Sequence, residues 1–426
     1  MDSSSSISEI ASCCDRIDEM LKEDGWDIME LTREQENAVK IILDRYKSGE
    51  KYATLAGWAG TGKSVTIKFI TDALTGVYGL DEDDICYACY CGKAVQVLID
   101  RGNKNAMTLH KLLFDAVPMP DGKFFFKPKP YGSLEYKIII VDEASMVSQD
   151  FVETLLKHPV FVIFVGDNGQ LGPVQKGNEN HLLDKPHAFL DTVMRQALDS
   201  DIIRLSMMVR NEENINGFKG NEAMVIPKRE LVTGHLTWAD QILCATNATR
   251  IGLNKQVREL KGYTQPIEEG EKLICLRNDW NTISECGNPL TNGNIGILTD
   301  MFETRQVYPK YMQVLGNQVP IIGGVFTTDA GDSFGNLLID KKCIITGEPY
   351  LTLQQIYKIK RVKKYKDTIP YEFTYAYCCT TWKFQGSSAP KVLGIEERFP
   401  YDRIEHKRFL YTMITRAEDR CVIVRP

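Results

Sequence analysis

The sequence has no apolar run of the about 18 residues that a membrane-spanning helix needs. Its opening residues, MDSSSSISEI, lack the basic and apolar regions of a secretory leader. Both absences point to a chain without a membrane partner, working in the cytoplasm. Positive charge is not in excess either: 51 Lys and Arg stand against 57 Asp and Glu, a net charge of -6. That gives no sign of a broad basic surface, so any nucleic-acid contact must come from local clusters, and composition alone is neutral on it. The 12 cysteines are scattered, and Cys244, Cys275, Cys343 and Cys421 sit in apolar runs, as suits free thiols in a reducing compartment. Cys86, Cys89 and Cys91 lie close together, but no second CxxC or neighbouring His pair completes a tetrahedral zinc site.

What is present begins with Gly57-Trp58-Ala59-Gly60-Thr61-Gly62-Lys63-Ser64, which fits GxxxxGK[ST] directly after the strand-like run Tyr52 to Ala56. Such a loop aims backbone N–H groups at phosphate oxygens at a helix N-terminus, with no side chain in the way. Lys63 then reaches the β- and γ-phosphates of ATP, and Ser64 ligates Mg²⁺. A second signal is the run Ile138 to Val141, which ends in Asp142-Glu143. An apolar strand that delivers two carboxylates is a Walker B signature, with Asp142 on Mg²⁺ and Glu143 as general base toward water. The two together predict a nucleotide hydrolase.

The chain is too long for one core, and its 25% charged and 43% hydrophobic composition is that of globular domains. Residues 1–30 read as an amphipathic helical extension, with Ile7, Ile10, Cys14, Ile17 and Leu21 at helical spacing. Residues 31–190 alternate strand-like runs with helical patterns, which predicts an α/β fold with a parallel sheet. The same rhythm over 191–297 and 371–426 predicts a second core of that kind. Within the first, 114–133 carries Asp121-Gly122 beside Phe124-Phe125-Phe126 and reads as a projecting hairpin. Residues 298–370 alternate without a helical face, as in a small inserted β-barrel. That insert closes on KIKRVKKYK, Lys358 to Lys366, either a lysine-protected edge strand or a phosphate contact.

From residue 31 onward the motif series resembles superfamily 1 helicases of the 5'-to-3' RecD and phage Dda branch. Leu31-Thr32 with Gln35 is similar to that family's adenine-reading motif, and Cys89-Tyr90-Cys91-Gly92-Lys93-Ala94 stands where the family writes APTGKA. Thr108-Leu109-His110 resembles its T-x-H step, and the hairpin resembles the pin that splits a duplex. Gly166-Asp167-Asn168-Gly169-Gln170-Leu171-Gly172-Pro173-Val174 matches GDxxQLxPV, the run that favours the 5'-to-3' group. Arg195-Gln196 and the YTMITRA run from Tyr411 to Ala417 resemble the two arginine motifs, Ala245-Thr246-Asn247 the TN motif, and Thr380 to Gly386 (TTWKFQG) the T-x-H-K-x-Q-G motif, with Trp382 in place of histidine.

The resemblance implies two tandem RecA-like cores with a pin hairpin and a small SH3-like β-barrel, acting as a monomeric ATP-dependent helicase on single-stranded and tailed or forked duplex DNA. It implies catalytic roles for Lys63, Glu143, Gln170 as γ-phosphate sensor, and Arg195 and Arg416 as fingers. Gln35, the loop from Gly57 to Ser64, Asp142, Asp167, Gln385 and Gly386 fall to the nucleotide. The strand falls to Gly92, Lys93, His110, Phe124, Phe125, Phe126, Thr246, Asn247, Thr380, Trp382 and Lys383. Two alternatives stay open: an RNA helicase of the same branch, and a P-loop switch or remodeller indifferent to nucleic acid. Stimulation of hydrolysis by oligo-dT discriminates the second.

Overall fold

The computed structural model describes residues 31–118, 124–173, 178–194, 199–285 and 287–426. The extension expected over 1–30 lies outside them. The described chain forms two compact units, one taking Arg101–Leu113 and Pro130–Arg204 together with the residues up to Tyr90, the other Cys91–Asp100, Phe114–Lys129 and Leu205–Pro426. The first unit thus continues to Arg204, where the sequence reading drew its line at Leu190.

Parallel strands covered on both faces need almost unbroken apolar runs, and the first unit supplies them. They are β1 (Tyr52–Gly57), β2 (Ile85–Cys89) and β3 (Ala106–Thr108). The chain then makes the antiparallel pair β4 (Phe114–Pro118) and β5 (Phe124–Pro128), registered from Phe114 opposite Pro128 to Pro118 opposite Phe124. It continues as β6 (Ile138–Val141), β7 (Phe161–Gly166) and β8 (Ala188–Leu190). The six strands of the sheet run in the order β3-β2-β6-β7-β1-β8, all parallel. Helices Arg33–Lys47 and Lys63–Gly76 place Ile42, Ile70 and Leu74 against Leu55, Ile140 and Ile163. Full burial stabilises each such side chain by about 2 kcal/mol.

The second unit holds another parallel sheet. Its strands are β9 (Ala223–Pro227) and β10 (Gln241–Cys244), then, after an insertion, β18 (Cys378–Thr380), β19 (Ala389–Ile395) and β20 (Ala417–Arg425). Their order is β18-β10-β19-β20-β9. The insertion runs from β11 (Lys272–Cys275) through the ribbon β12 (Asp279–Ile283) and β13 (Pro289–Leu290) to β14 (Ile295–Val307), β15 (Gln318–Thr328), β16 (Ser333–Asp340) and β17 (Phe373–Tyr375). Five of these form an antiparallel sheet in the order β16-β15-β14-β11-β17. Its two ends are tied together: Tyr371 N–H donates to the Leu338 carbonyl at 2.8 Å, and Asp340 N–H to the Tyr371 carbonyl at 2.9 Å. That closure needs both flanking strands, so the β-rich insert takes in β11 and β17 and is wider than 298–370.

One local reading changes. The segment Lys358 to Lys366 is not an edge strand. It lies on the helix Leu353–Lys360, capped by Thr352 and Gln355, and on the turns that follow.

Candidate functional site

Strand order assembles the first site. β7 lies between β6 and β1, all three parallel, with Ile140 level with Ile163 and Ala56 level with Gly166. The loops leaving their carboxyl ends are the Gly57–Ser64 run, Asp142-Glu143 and the Asp167–Gln170 run, so three motifs scattered over the sequence emerge side by side. Carboxyl ends of a parallel α/β sheet are where such folds place ligands.

Steric demand explains the loop's glycines. Gly62 precedes the helix Lys63–Gly76 with φ +81°, and a Cβ there would come within 2.3 Å of Gln35 Nε2. Gln35 is buried and has two tasks: its Oε1 accepts Thr32 N–H at 2.9 Å, closing the capping box of Arg33–Lys47, and its Nε2 donates to the Thr61 carbonyl at 3.2 Å. The amide proposed to read adenine therefore supports the phosphate loop from below. Thr61 Oγ1 donates to the Trp58 carbonyl at 2.8 Å, and Trp58 Nε1 to Asp191 at 2.7 Å, which stiffens the loop between Ala59 and Gly60. Lys63 Nζ donates to the carbonyls of Gly57 at 2.7 Å and Trp58 at 2.9 Å. The ammonium is thus held over the loop rather than released to solvent, while Ser64 is exposed on the first helical turn.

The carboxylates differ in environment. Burial raises the pKa of Asp142 above its ordinary value; the Glu143 N–H, which donates to its Oδ1 at 2.8 Å, and the charges of Lys63 and Arg101 act the other way. A buried carboxyl of this kind gains from a nearby cation. Glu143 takes a left-handed backbone, φ 51° and ψ 43°, without being glycine. Non-glycine residues held there cost about 1 kcal/mol or more and cluster at functional sites. Asp167 is fully buried and accepts Gly169 N–H at 2.8 Å, setting the turn that carries Gln170. Gln170 is buried with its Oε1 unpaired, and the neighbouring Ser145 Oγ and Asn168 Oδ1 share that state. Buried polar atoms of this sort are normally satisfied, so three of them beside one sheet edge mark a place that expects polar ligands. Ser145 and Asn168 escaped sequence reading, since neither belongs to the side-chain pattern of a motif.

Among the described residues no group of three His, Cys, Asp or Glu side chains forms a metal cage. Mg²⁺ usually takes one or two protein oxygens and completes its shell from water and phosphate. Ser64 and Asp142 are hard oxygen donors of that type, and they fit.

In the second unit, β18, β10 and β19 end next to one another. Thr246 caps the helix Asn247–Leu260, and Thr380 caps the short turn Thr381–Phe384, accepting Lys383 N–H. Asn247 Oδ1 accepts Arg250 Nε at 3.1 Å. Glu397, absent from the sequence reading, lies just past β19 and takes four bonds: Ala245 N–H at 2.5 Å, Thr246 N–H at 3.0 Å, Thr246 Oγ1 at 2.8 Å and Thr249 Oγ1 at 2.6 Å. Lys383 Nζ donates to Asn292 Oδ1, and burial lowers its pKa. The Trp382 ring stacks on Phe409 at 5.5 Å and 24°, so that face is taken within the chain. Gly92 and Gly386 lie in tight contacts: a Cβ on Gly92 would meet Thr291 at 2.6 Å, and one on Gly386 would meet Cys91 Sγ at 2.9 Å. Cys91 Sγ also reaches the Gln385 carbonyl at 3.7 Å.

Arg416 precedes β20 and is buried, with Nε on the Thr412 carbonyl at 3.3 Å and a terminal nitrogen on the Ser387 carbonyl at 3.3 Å. His110, in the first unit, packs edge-on against Phe151 at 4.6 Å, and burial lowers its pKa. Arg195 and Val174 lie outside the described residues, as do the side chains of Lys93, Phe124, Phe125 and Phe126. No helix among the described residues is long and apolar enough to cross a membrane.

Residues 30–224 match the family described as AAA domain, and 375–424 the UvrD-like helicase C-terminal domain. Over 152 residues the chain is 31% identical to the ATP-dependent DNA helicase dda of Enterobacteria phage T4, covering 35% of this chain and 34% of that protein. The ATP-dependent RecD2 DNA helicase of Deinococcus radiodurans aligns over 409 residues at 28% identity, 89% of this chain and 47% of the relative. The chain therefore spans less than half the length of these curated relatives. Among solved structures, a Bacteroides Pif1 helicase in complex with ADP-AlF3 and ssDNA aligns with a TM-score of 0.52 at 16% identity, over 94% of this chain and 93% of that one. A structure of Pif1 helicases unwinding forked dsDNA aligns with a TM-score of 0.51 at 18% identity, over 93% and 92%. At such identity the likeness shows the fold.

Proposed function

Because the chain belongs to the superfamily 1 helicases of the Dda and RecD-like branch, we propose that it hydrolyses ATP to move 5'-to-3' along single-stranded DNA and separate the duplex it meets. The observation that carries this reading is the assembly of Lys63, Asp142, Glu143 and Gln170 at one sheet edge, with a buried carboxyl and an unpaired amide oxygen among them.

In this reading Lys63 exchanges its loop carbonyls for phosphate oxygens, and the loop N–H groups hold the rest of the triphosphate. Ser64 and Asp142 would hold Mg²⁺, which when bound supplies charge neutralisation at the phosphoryl oxygens. Glu143, fixed by its left-handed backbone, takes the proton of the attacking water. Gln170, positioned by the Asp167 turn, bonds to the γ-phosphate or that water. Arg195 and Arg416 offset the charge that develops in the transition state, a contribution of about 10³-fold or more. Asn247, Thr380 and Lys383 bond backbone phosphates, joined by Gly92, Lys93 and His110, with Thr246 holding the start of the helix that carries Asn247. The pin phenylalanines Phe124, Phe125 and Phe126 supply aromatic contact, and Trp382, stacked on Phe409, backs the turn Thr381–Phe384. Contacts of these kinds grip a strand without reading sequence.

Single-turnover unwinding of duplexes with a 5' or a 3' single-stranded tail tests the proposal. The 5'-tailed duplex should open and its mirror should not; preference for the 3' tail would overturn the direction. Hydrolysis indifferent to oligo-dT would instead favour a nucleic-acid-independent switch.

A further inference from the structure

The inserted domain carries the densest charge in the chain. Residues Lys358 to Lys366 hold six cations and no acid, in a protein whose net charge is -6. In the helix Leu353–Lys360 and the turns after it, Ile356 and Ile359 are buried, while Val362, Tyr365 and Ile369 pack against the same core of Tyr308, Met312 and Val319. That spacing of about three residues keeps one apolar stripe inward. It turns Arg361, Lys363, Lys364 and Lys366 outward, all exposed.

The ridge is built rather than floppy. Val362 N–H donates to the Ile359 carbonyl at 3.0 Å, and Lys366 N–H to the Val362 carbonyl at 3.0 Å. Lys358 Nζ is tied to Gln313 Oε1 at 2.5 Å. Lys366 pairs with Asp367 at 3.7 Å, whereas Arg361, Lys363 and Lys364 have no carboxylate partner among the described residues. A solvated face in an acidic protein usually mixes both signs, whereas here an ordered backbone presents three exposed cations without a carboxylate partner among the described residues, a charge arrangement that attracts a polyanion.

The aromatic residues decide which polyanion. Surfaces that hold single strands offer open rings on which bases stack. Here the two rings on the ridge are half-buried and each is engaged on one face by a ridge cation: the Arg361 guanidinium lies 4.6 Å from the Tyr357 ring, and Lys364 Nζ lies 5.4 Å from that of Tyr365. What the ridge itself presents to a partner is chiefly charge, which suits the phosphates of a duplex, whose bases are stacked away.

Resting on the helicase reading above, we propose that the ridge of Arg361, Lys363 and Lys364 on the inserted domain binds the phosphate backbone of double-stranded DNA. Contact is independent of sequence and separate from the single-strand grip.

The test is the salt dependence of binding to a blunt duplex and to oligo-dT, with the triple variant Arg361→Glu, Lys363→Glu, Lys364→Glu. Each neutralised duplex phosphate contributes about 0.9 to the slope of log K against log salt, so losing three should reduce that slope by about 2.7. Low-salt duplex affinity should fall at least about 10-fold, while oligo-dT affinity and the kcat of oligo-dT-stimulated hydrolysis stay within about twofold. An unchanged duplex slope overturns the proposal, as does an equal loss on oligo-dT and duplex, or wild-type binding of an acidic polypeptide as tight as that of duplex. If charge reversal impairs folding, judged by melting, the glutamine triple variant gives the same readout with about the same slope change. Failure of the helicase reading would show separately, as wild-type hydrolysis that oligo-dT does not raise.

Discussion

Replacing Gly62 with alanine should cost more than a glycine in a left-handed turn ordinarily does, because of what lies opposite. The φ of +81° alone costs a non-glycine residue about 1–2 kcal/mol. The added Cβ would also fall 2.3 Å from Gln35 Nε2, so the amide must leave, giving up its bonds to the Thr61 carbonyl and the Thr32 N–H. At about 1 kcal/mol net for each bond, the total is about 3–4 kcal/mol. In a Gln35→Ala background the collision is gone and only the backbone cost remains, which leaves a coupling of about 2 kcal/mol. Native-state hydrogen exchange on the helix Lys63–Gly76 reads the local opening free energy directly. Equal penalties for Gly62→Ala with and without Gln35 would refute the idea that this amide props the phosphate loop.

Lys63→Ala should abolish nucleotide hydrolysis together with much of the affinity, whereas Glu143→Gln should bind nucleotide normally and stall; substantial turnover in the second variant, measured beside a nucleotide titration, removes Glu143 as the base. Arg416→Ala should lower kcat by about 10³-fold while changing ATP affinity little, since its partner charge develops in the transition state; lost thermal stability with unaltered kcat would make it a structural residue. The buried Glu396 carboxylate bonds His406 Nε2 at 3.0 Å and Arg425 Nε at 2.5 Å. Its hydrogen bond raises the His406 pKa, so that stabilisation is fully present below the ordinary imidazole pKa and fades as pH rises through the raised value. Burial pushes Glu396 upward, yet His406 and Arg425 hold it below its usual value, so its share is lost only as pH falls through that depressed value. Melting curves of wild type and His406→Gln should therefore differ most at about pH 5.5 and converge at alkaline pH; a constant difference would sink the assignment.

The parts legible from sequence are those whose determinants are local. The strands Ile85–Cys89 and Ile138–Val141 are contiguous apolar runs, and the phosphate loop's residues are consecutive, so pattern and position suffice. The helix through Lys358 misled because six cations drew the eye from Ile356, Ile359 and Val362, whose spacing is helical and not alternating. Trp382 offered an aromatic face in isolation, but Phe409, 27 positions on, covers it.

The same limit explains Glu397, and it bears on what a motif means here. Thr246 could be read as a strand contact because the TN pair is local, while the carboxylate that holds it comes from 151 residues away. With both oxygens of Glu397 spent on Ala245, Thr246 and Thr249, the Thr246 hydroxyl is already a donor within the protein and has only acceptor capacity left over. Phosphate oxygens accept and do not donate, so Thr246 cannot bond one through its hydroxyl while Glu397 holds it. Either the carboxylate lets go when a strand binds, or the phosphate is met by neighbouring donors such as the Asn247 amide. Strand affinity of Glu397→Gln separates the two: a rise follows from the first and a fall, through a loosened helix start, from the second.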